Sequence, residues 1–271
     1  MTDIKILVCA HKKARLPECG CFFPVQAGAA LHGPIDGFAP DDTGDNISAK
    51  NGNYCELTCH YWAWKNLKAD IVGLNHYRRF FDFERRWPSV SPDRSFAPMG
   101  YVDKPYRMPD LERMLGGRCD IILPTRRHYP YSVATQYAVF HLVNDLRILR
   151  EVTAELSPDY LAAFDELMQR RNGYSGYNMF ITRWEHFDGY SEWLFKILFE
   201  VERRVRLSPY PDQARIFGYM SERLINVYCM RHGLRVRYVP VVMPIEEEYA
   251  NPSNLTYTLR RLKNNLLFKA L

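Results

Sequence analysis

The stretch Asp70-Ile71-Val72-Gly73-Leu74-Asn75-His76-Tyr77-Arg78-Arg79 decides the fold. Its apolar run is too short for a helix and reads as a buried strand. The carboxyl end of that strand passes at once into an imidazole, a phenol and two guanidinium groups. The run at 4–10 repeats the pattern: a buried strand, then His11-Lys12-Lys13. In open α/β sheets ligands bind beyond the carboxyl ends of strands. Two strands that each deliver cations to such an edge predict an anion site there, and arginine is the residue best suited to bidentate contact with phosphate. The plain alternative is an exposed basic loop that pairs with Asp82 or Glu84.

Outward from this edge, strands alternate with helices. Residues 54–67 have helical spacing through Tyr54, Thr58, Tyr61, Trp62 and Lys65. A short helix at 109–115 is stopped by Gly116-Gly117, and 119–124 is a third strand. Helices come next at 132–150 and after Ser157-Pro158, ending near Gly173. A fourth strand covers 178–182. The longest amphipathic helix covers 184–206, with Tyr190, Leu194, Ile197, Leu198, Val201 and Val205 on its core face. Another helix opens at Ser221 and closes at Gly233, and 234–238 is a strand near one edge or face of the sheet. Residues 16–53 read as a long loop, and 80–107 as irregular, with Pro88, Pro92, Pro98 and Pro105. The order predicts a single α/β domain over 1–250, a mostly parallel sheet flanked by helices. A basic amphipathic helix occupies 251–271.

With 271 residues, 47% apolar and 25% charged, the chain has the ordinary globular mixture, which excludes disordered, fibrous and coiled-coil classes. The formal charge of +5 is too weak for a dedicated nucleic-acid binder, and fits an anionic ligand or an anionic membrane face. Seven cysteines, an odd number, predict free and mostly buried thiols in a reducing setting. No apolar run is long enough to span a bilayer, and the first residues lack the pattern of a secretory signal. The expectation is a cytoplasmic chain. Cys55 and Cys59 share a helix face, but a structural zinc needs a second pair, and Cys19 with Cys21 has the wrong spacing. Tyr61, Trp62 and Trp64 read as core packing.

Several segments together resemble a bacterial family of capsular and exopolysaccharide glycosyltransferases that long carried the label of a domain of unknown function. They are Asp45-Asn46-Ile47-Ser48 with Asn51, Tyr54-Cys55-Glu56-Leu57-Thr58, Tyr61-Trp62-Ala63-Trp64-Lys65-Asn66, Gly73 to Arg79, Tyr177-Asn178-Met179-Phe180-Ile181, and Gly218-Tyr219-Met220-Ser221-Glu222-Arg223-Leu224. The resemblance runs from Lys5 to about Val241, and some members of that family are similar to galactofuranosyltransferases. It implies a GT-A-like, Rossmann-type fold. It further implies a hexose, galactofuranose among the candidates, moved from a UDP-sugar to a polysaccharide or lipid-linked glycan.

That fold commonly holds a divalent metal on an Asp-x-Asp at the end of the strand where this chain has Asn75-His76-Tyr77-Arg78. The departure predicts catalysis without a metal, unless Asp42 or Asp45 folds over as a ligand. His11, Lys12, His76, Tyr77, Arg78 and Arg79 are the expected donor-binding groups. Asp45, Asn46 and Asn51 are placed on the uracil or ribose, or serve as turn and cap residues. No Asp or Glu stands out as a donor-side nucleophile, so inversion is expected over retention, and inversion requires a carboxylate that deprotonates the acceptor. Glu222, at the expected start of its helix, is the first candidate and Asp212 the second. The plain reading of Glu222 is an ion pair with Arg223 or Arg215. Asn178 is expected on the acceptor. The C-terminal helix carries Arg260, Arg261, Lys263 and Lys269 among leucines, which suits a peripheral membrane contact or a homodimer. The rival reading of the whole is a non-catalytic sugar- or nucleotide-binding scaffold.

Overall fold

The computed structural model describes residues 2–84, 94–246 and 253–269. Pro88, Pro92 and the expected domain boundary at 250/251 lie outside the described residues. The chain runs through β1 (Ile4–Ala10), β2 (Phe22–Gln26), β3 (Ala39–Pro40), α1 (Asn51–Tyr54), α2 (Leu57–Asn66), β4 (Ile71–His76), β5 (Phe80–Phe81) and β6 (Arg94–Pro98). It continues through α3 (Leu111–Leu115), β7 (Ile121–Pro124), β8 (Arg127–His128), α4 (Val133–Phe140), α5 (Val143–Leu156), α6 (Leu161–Arg170), β9 (Gly173–Tyr174) and β10 (Phe180–Arg183). The last elements are α7 (Trp184–Arg204), α8 (Pro211–Ala214), α9 (Ile216–Arg231), β11 (Val236–Val239), β12 (Val241–Ile245) and α10 (Asn254–Lys269).

The central sheet has the order β11-β7-β10-β4-β1-β2-β3. Only β10 runs against the others, pairing antiparallel with both β4 and β7. The mostly parallel α/β sheet read from the sequence is therefore present. Its strands are buried on both faces because side chains alternate along them. Leu7, Cys9, Val72, Leu74 and Phe180 face a core built with α2, α4 to α7 and α9. Ile6, Ile71, Ile122 and Ile181 face a smaller core with α3, Phe81 and Val241. Gly73 sits where β4 is pressed between neighbours. A Cβ there would lie 2.7 Å from Ile6 Cδ1 and 2.9 Å from Ile181 Cγ1.

The structure corrects several boundaries. The loop at 16–53 contains β2 and β3, which extend the sheet past β1. The irregular stretch at 80–107 contributes β5 and β6 to a small sheet with β12. Their short sequences lack a clear period. The helix expected at 54–67 is two helices, broken at Cys55, whose φ is +52°. The helix expected at 132–150 is α4 and α5, parted at His141-Leu142. Glu222 is not at a helix start: α9 begins at Ile216, one and a half turns earlier.

His60, on α2, is enclosed by Phe180, Phe187, Tyr190 and Phe195. Its Nε2 lies 2.7 Å from Ser191 Oγ, and that hydroxyl donates to the Phe187 carbonyl, so the imidazole donates to Oγ. Burial pushes its pKa down to about 3. A folded-state pKa below the unfolded value means that the unfolded chain binds the extra proton as pH falls below about 6.5. Stability is thus full above that value and declines toward acid. By about pH 4.5 His60 alone should remove on the order of 3 kcal/mol, with Glu222, shifted upward, pulling partly the other way. Urea midpoints between neutral pH and about 4.5 check this. A His60→Gln chain should show a flatter slope, and an unchanged slope would refute the assignment.

Candidate active site

Beyond the carboxyl ends of β1 and β4 opens a cleft of about 430 Å³. His11 and His76 reach it from the two strand ends, with Tyr77, Arg78 and Arg79 from the turn after β4. Cys55 and Glu56 reach it from the break between α1 and α2, Arg215 from the residue before α9, and Tyr219 and Glu222 from the first two turns of α9. The break explains how a helical stretch supplies two adjacent residues to the same wall. The left-handed Cys55 turns the backbone there, and Asn51 Nδ2 satisfies the Cys55 carbonyl at 2.8 Å.

The cations are held in place but not spent. The Arg79 guanidinium lies 5.0 Å from the Tyr177 ring centre, and its buried Nε has no hydrogen-bond partner among the described residues. Burial lowers the Arg79 pKa while Glu56 draws it back. Arg215 Nε donates to Cys55 Sγ at 3.1 Å. The rings of His11 and Tyr77 meet nearly at right angles, 5.5 Å between centres. Burial, with Lys12, Arg78 and Arg215 adding positive potential, lowers the His11 pKa. An anion entering this cleft meets an unspent guanidinium donor in a positive field.

Two half-buried carboxyl groups line the same cleft, and their pKa values are pushed apart. Burial raises Glu222, with Glu56 adding to the rise and Arg223 opposing it. Its Oε1 accepts the Tyr177 N–H at 3.0 Å and its Oε2 the Arg223 guanidinium at 3.2 Å. Burial would also raise Glu56, but His76, the Asn178 amide, the Glu56 backbone N–H and Arg79 outweigh it and hold Glu56 below the usual carboxylate range. Asn178 Nδ2 donates to Glu56 Oε1 at 2.7 Å, and His76 Nε2 lies 3.8 Å from that oxygen. Burial lowers His76 to about 4, so near neutral pH it is an uncharged imidazole that donates Nε2–H to the Tyr177 carbonyl at 2.6 Å. Separated carboxyl pKa values in one cleft are the usual mark of a divided acid–base task. Cys55, Tyr177 and Asn178, the positive-φ non-glycine residues among those described, all stand at or beside this cleft. Such conformations cost about 1–3 kcal/mol each and gather at functional sites.

Of the residues expected from sequence, the cleft brings together His11, Asn51, His76, Tyr77, Arg78, Arg79 and Glu222. It does not gather Lys12, Asp45, Asn46 or Asp212. Lys12 Nζ lies outside it, 6.0 Å from the Tyr77 ring centre. Asp45 accepts the Tyr61 hydroxyl at 3.1 Å, toward the far end of α2. Asn46 closes a turn through Asp42, Gly44 and Ser48. Asp212 is exposed on α8, where its carbonyl accepts the Tyr219 hydroxyl. The side chain of Asn178 is committed to Glu56, the Gly218 carbonyl and the Ser221 hydroxyl, so it holds the wall. Glu56 and Arg215 were not expected from the sequence. The signal for Glu56 was a lone carboxylate in the otherwise uncharged run Tyr54 to Trp64. Both the ion pair of Glu222 with Arg223 and its place in the cleft are present.

Among the described residues no group of three or more His, Cys, Asp or Glu side chains is placed to hold a metal ion.

A mostly parallel sheet with its cleft beyond the strand ends defines a domain of the α/β class, and the comparisons agree with that fold. Residues 5–233 match the family described as Domain of unknown function (DUF4422), and the chain belongs to that family. Among solved structures it is similar to the apo structure of the bifunctional glycosyltransferase WbbM, with 29% identity and a TM-score of 0.80 over 92% of this chain. It covers 47% of that protein, and so spans about half its length. No curated protein matches the chain.

Proposed function

We propose that the chain is a glycosyltransferase that takes a sugar from a nucleoside-diphosphate donor and joins it to a hydroxyl of a glycan. The observation that carries this reading is the convergence of Arg78, Arg79, Arg215 and His11 on one cleft that also holds Glu222 with a raised pKa. Breaking the bond between the anomeric carbon and phosphate oxygen leaves its electron pair on the diphosphate. Fixed cations in a partly dry cleft stabilise that charge as it develops. The acceptor oxygen bonds to the anomeric carbon while its proton passes to Glu222, whose raised pKa suits a general base. The similarity to a bifunctional glycosyltransferase supports the reading.

The finer terms are also proposals. The family resemblance supports UDP as the nucleotide, a hexose such as galactofuranose as the sugar, and a capsular or exopolysaccharide acceptor, polymeric or lipid-linked. Arg78 and Arg79 stand where a metal site would be, which supports metal-independent transfer. Helix α10 exposes Leu255, Leu259, Leu262 and Leu266 beside its basic residues, which fits an anionic membrane face and a lipid-linked acceptor. Among the described residues no helix is long and apolar enough to cross a membrane. The expected preference for inversion leaned on the lack of a donor-side carboxylate. Glu56 supplies one, so a glycosyl-Glu56 intermediate is the reading to set against a single displacement by the acceptor hydroxyl with Glu222 as its base.

Thermal shifts with UDP, GDP and CDP, with Mn²⁺ or with EDTA, test the donor reading. At a hundredfold excess over Kd a bound nucleotide adds about 2.7 kcal/mol. UDP should raise the melting temperature equally in EDTA and in Mn²⁺. Stabilisation that needs Mn²⁺ would refute metal independence. UDP release from UDP-sugars separates an enzyme from a scaffold.

A further inference from the structure

A second cavity, of about 280 Å³, lies beside the first. We infer that it is the acceptor subsite of the proposed transferase and takes one uncharged sugar ring, with a hydroxyl turned toward Glu222. The inference rests on the donor reading given above.

The sheet order places it. Because β10 runs against its neighbours, its entry, Tyr177-Asn178, lies at the same sheet edge as the carboxyl ends of β4 and β7. The order β7-β10-β4-β1 therefore sets Thr125, Tyr177, His76 and His11 along one edge. The donor cleft lies over His76 and His11, and the second cavity over Thr125 and Tyr177. Tyr219 and Glu222 line both, so Glu222 stands in the wall between them. A base that takes a proton from one substrate while the other is attacked must occupy that kind of position.

The lining states what the cavity accepts. Tyr129 and Tyr174 are stacked with ring planes 15° apart, and His141 stacks on Tyr219 at 4.1 Å. Aromatic faces carrying polar edges suit a ring with an apolar C–H face and a rim of hydroxyls. Arg223 is ion-paired with Glu222 and bonded to Gln136 and the Tyr219 carbonyl, so its charge is offset, while its buried Nε, without a partner among the described residues, leaves one donor for a neutral hydroxyl. The volume is at the small end of ligand pockets, which run from about 300 to 1,000 Å³. That fits one sugar residue, with the rest of a glycan outside. Arg127 and Tyr129 belong to the segment on which α10 is docked, through Asn264 to the His128 carbonyl at 2.8 Å. The helix with the exposed leucines is thus next to the cavity that would receive a lipid-linked acceptor.

The test is saturation-transfer NMR on the full chain, with the methyl pyranosides of glucose, galactose, mannose and N-acetylglucosamine as probes, with and without UDP. Phe140 is 54% exposed at the cavity rim, so Phe140→Ala should fold normally; Tyr129→Ala removes a wall. At least one pyranoside should receive saturation, and both substitutions should weaken it, Tyr129→Ala by about tenfold. The melting shift given by UDP should stay as in the parent chain. A pyranoside that binds both variants as well as the parent, or no binding by any of the four, overturns the assignment. Failure of UDP to stabilise the parent chain instead sinks the donor reading, so the two failures are told apart.

Discussion

Glu222→Gln should abolish sugar transfer while leaving nucleotide binding intact. Glutamine keeps the shape and can still accept the Tyr177 N–H, so the wall between the cavities should stand. It cannot take a proton from an acceptor hydroxyl. Loss of a positioned general base costs about a hundredfold to ten-thousandfold in rate. UDP release in the presence of acceptor should fall by that factor, and the thermal shift with UDP should not change. In the parent chain the acid limb of the rate profile should lie above the ordinary carboxylate range, because burial raises Glu222. Near-parental turnover by the variant would remove Glu222 from the chemistry and direct attention to Glu56.

Arg79→Ala should be nearly as damaging, for another reason. The Arg79 side chain is half-buried at the cleft, and its buried Nε donor finds no partner among the described residues. An arginine kept dry and incompletely bonded is ready for a charged oxygen, and electrostatic stabilisation of developing charge is worth about a hundredfold to a thousandfold per donor. The loss should appear mainly in kcat, since the charge grows as the bond breaks. Arg79→Lys should recover part of it, because lysine restores charge without the planar fork. A variant with unchanged kcat and only a lowered melting temperature would show that Arg79 merely braces Tyr177 and Glu56.

The cationic edge of the sheet was legible because two apolar runs each end abruptly in cations, and the residues just past a strand's carboxyl end are the ones an α/β sheet presents to a ligand. His11 and His76 to Arg79 came from that single rule. Asp45 and Asn46 came from a segment that carries the family resemblance and Asp212 from a search for a carboxylate in the second half of the chain, and short polar side chains near turns usually serve the turn, as Asn46 does. Glu56 was hidden because periodicity carried one helix straight through Tyr54 to Leu67. Helical spacing does not reveal a backbone break whose evidence is a positive φ at Cys55. The second cavity was hidden for a topological reason. Nothing in Phe180 to Arg183 states that the strand runs backward, and that direction is what places Tyr177 at the edge.

The two left-handed residues that open β10 constrain how such a domain can change. Tyr177 gives its N–H to Glu222 and its carbonyl to His76, and Asn178 gives its amide to Glu56. One corner of chain thereby grips both acids and the imidazole. A shift of that corner to admit a bulkier donor would tilt Glu222 as well, and so alter which hydroxyl it reaches. Retargeting one substrate by loop exchange at this corner should therefore disturb selection of the other, whereas changes at the outer rim, such as Phe140, leave the shared hinge untouched.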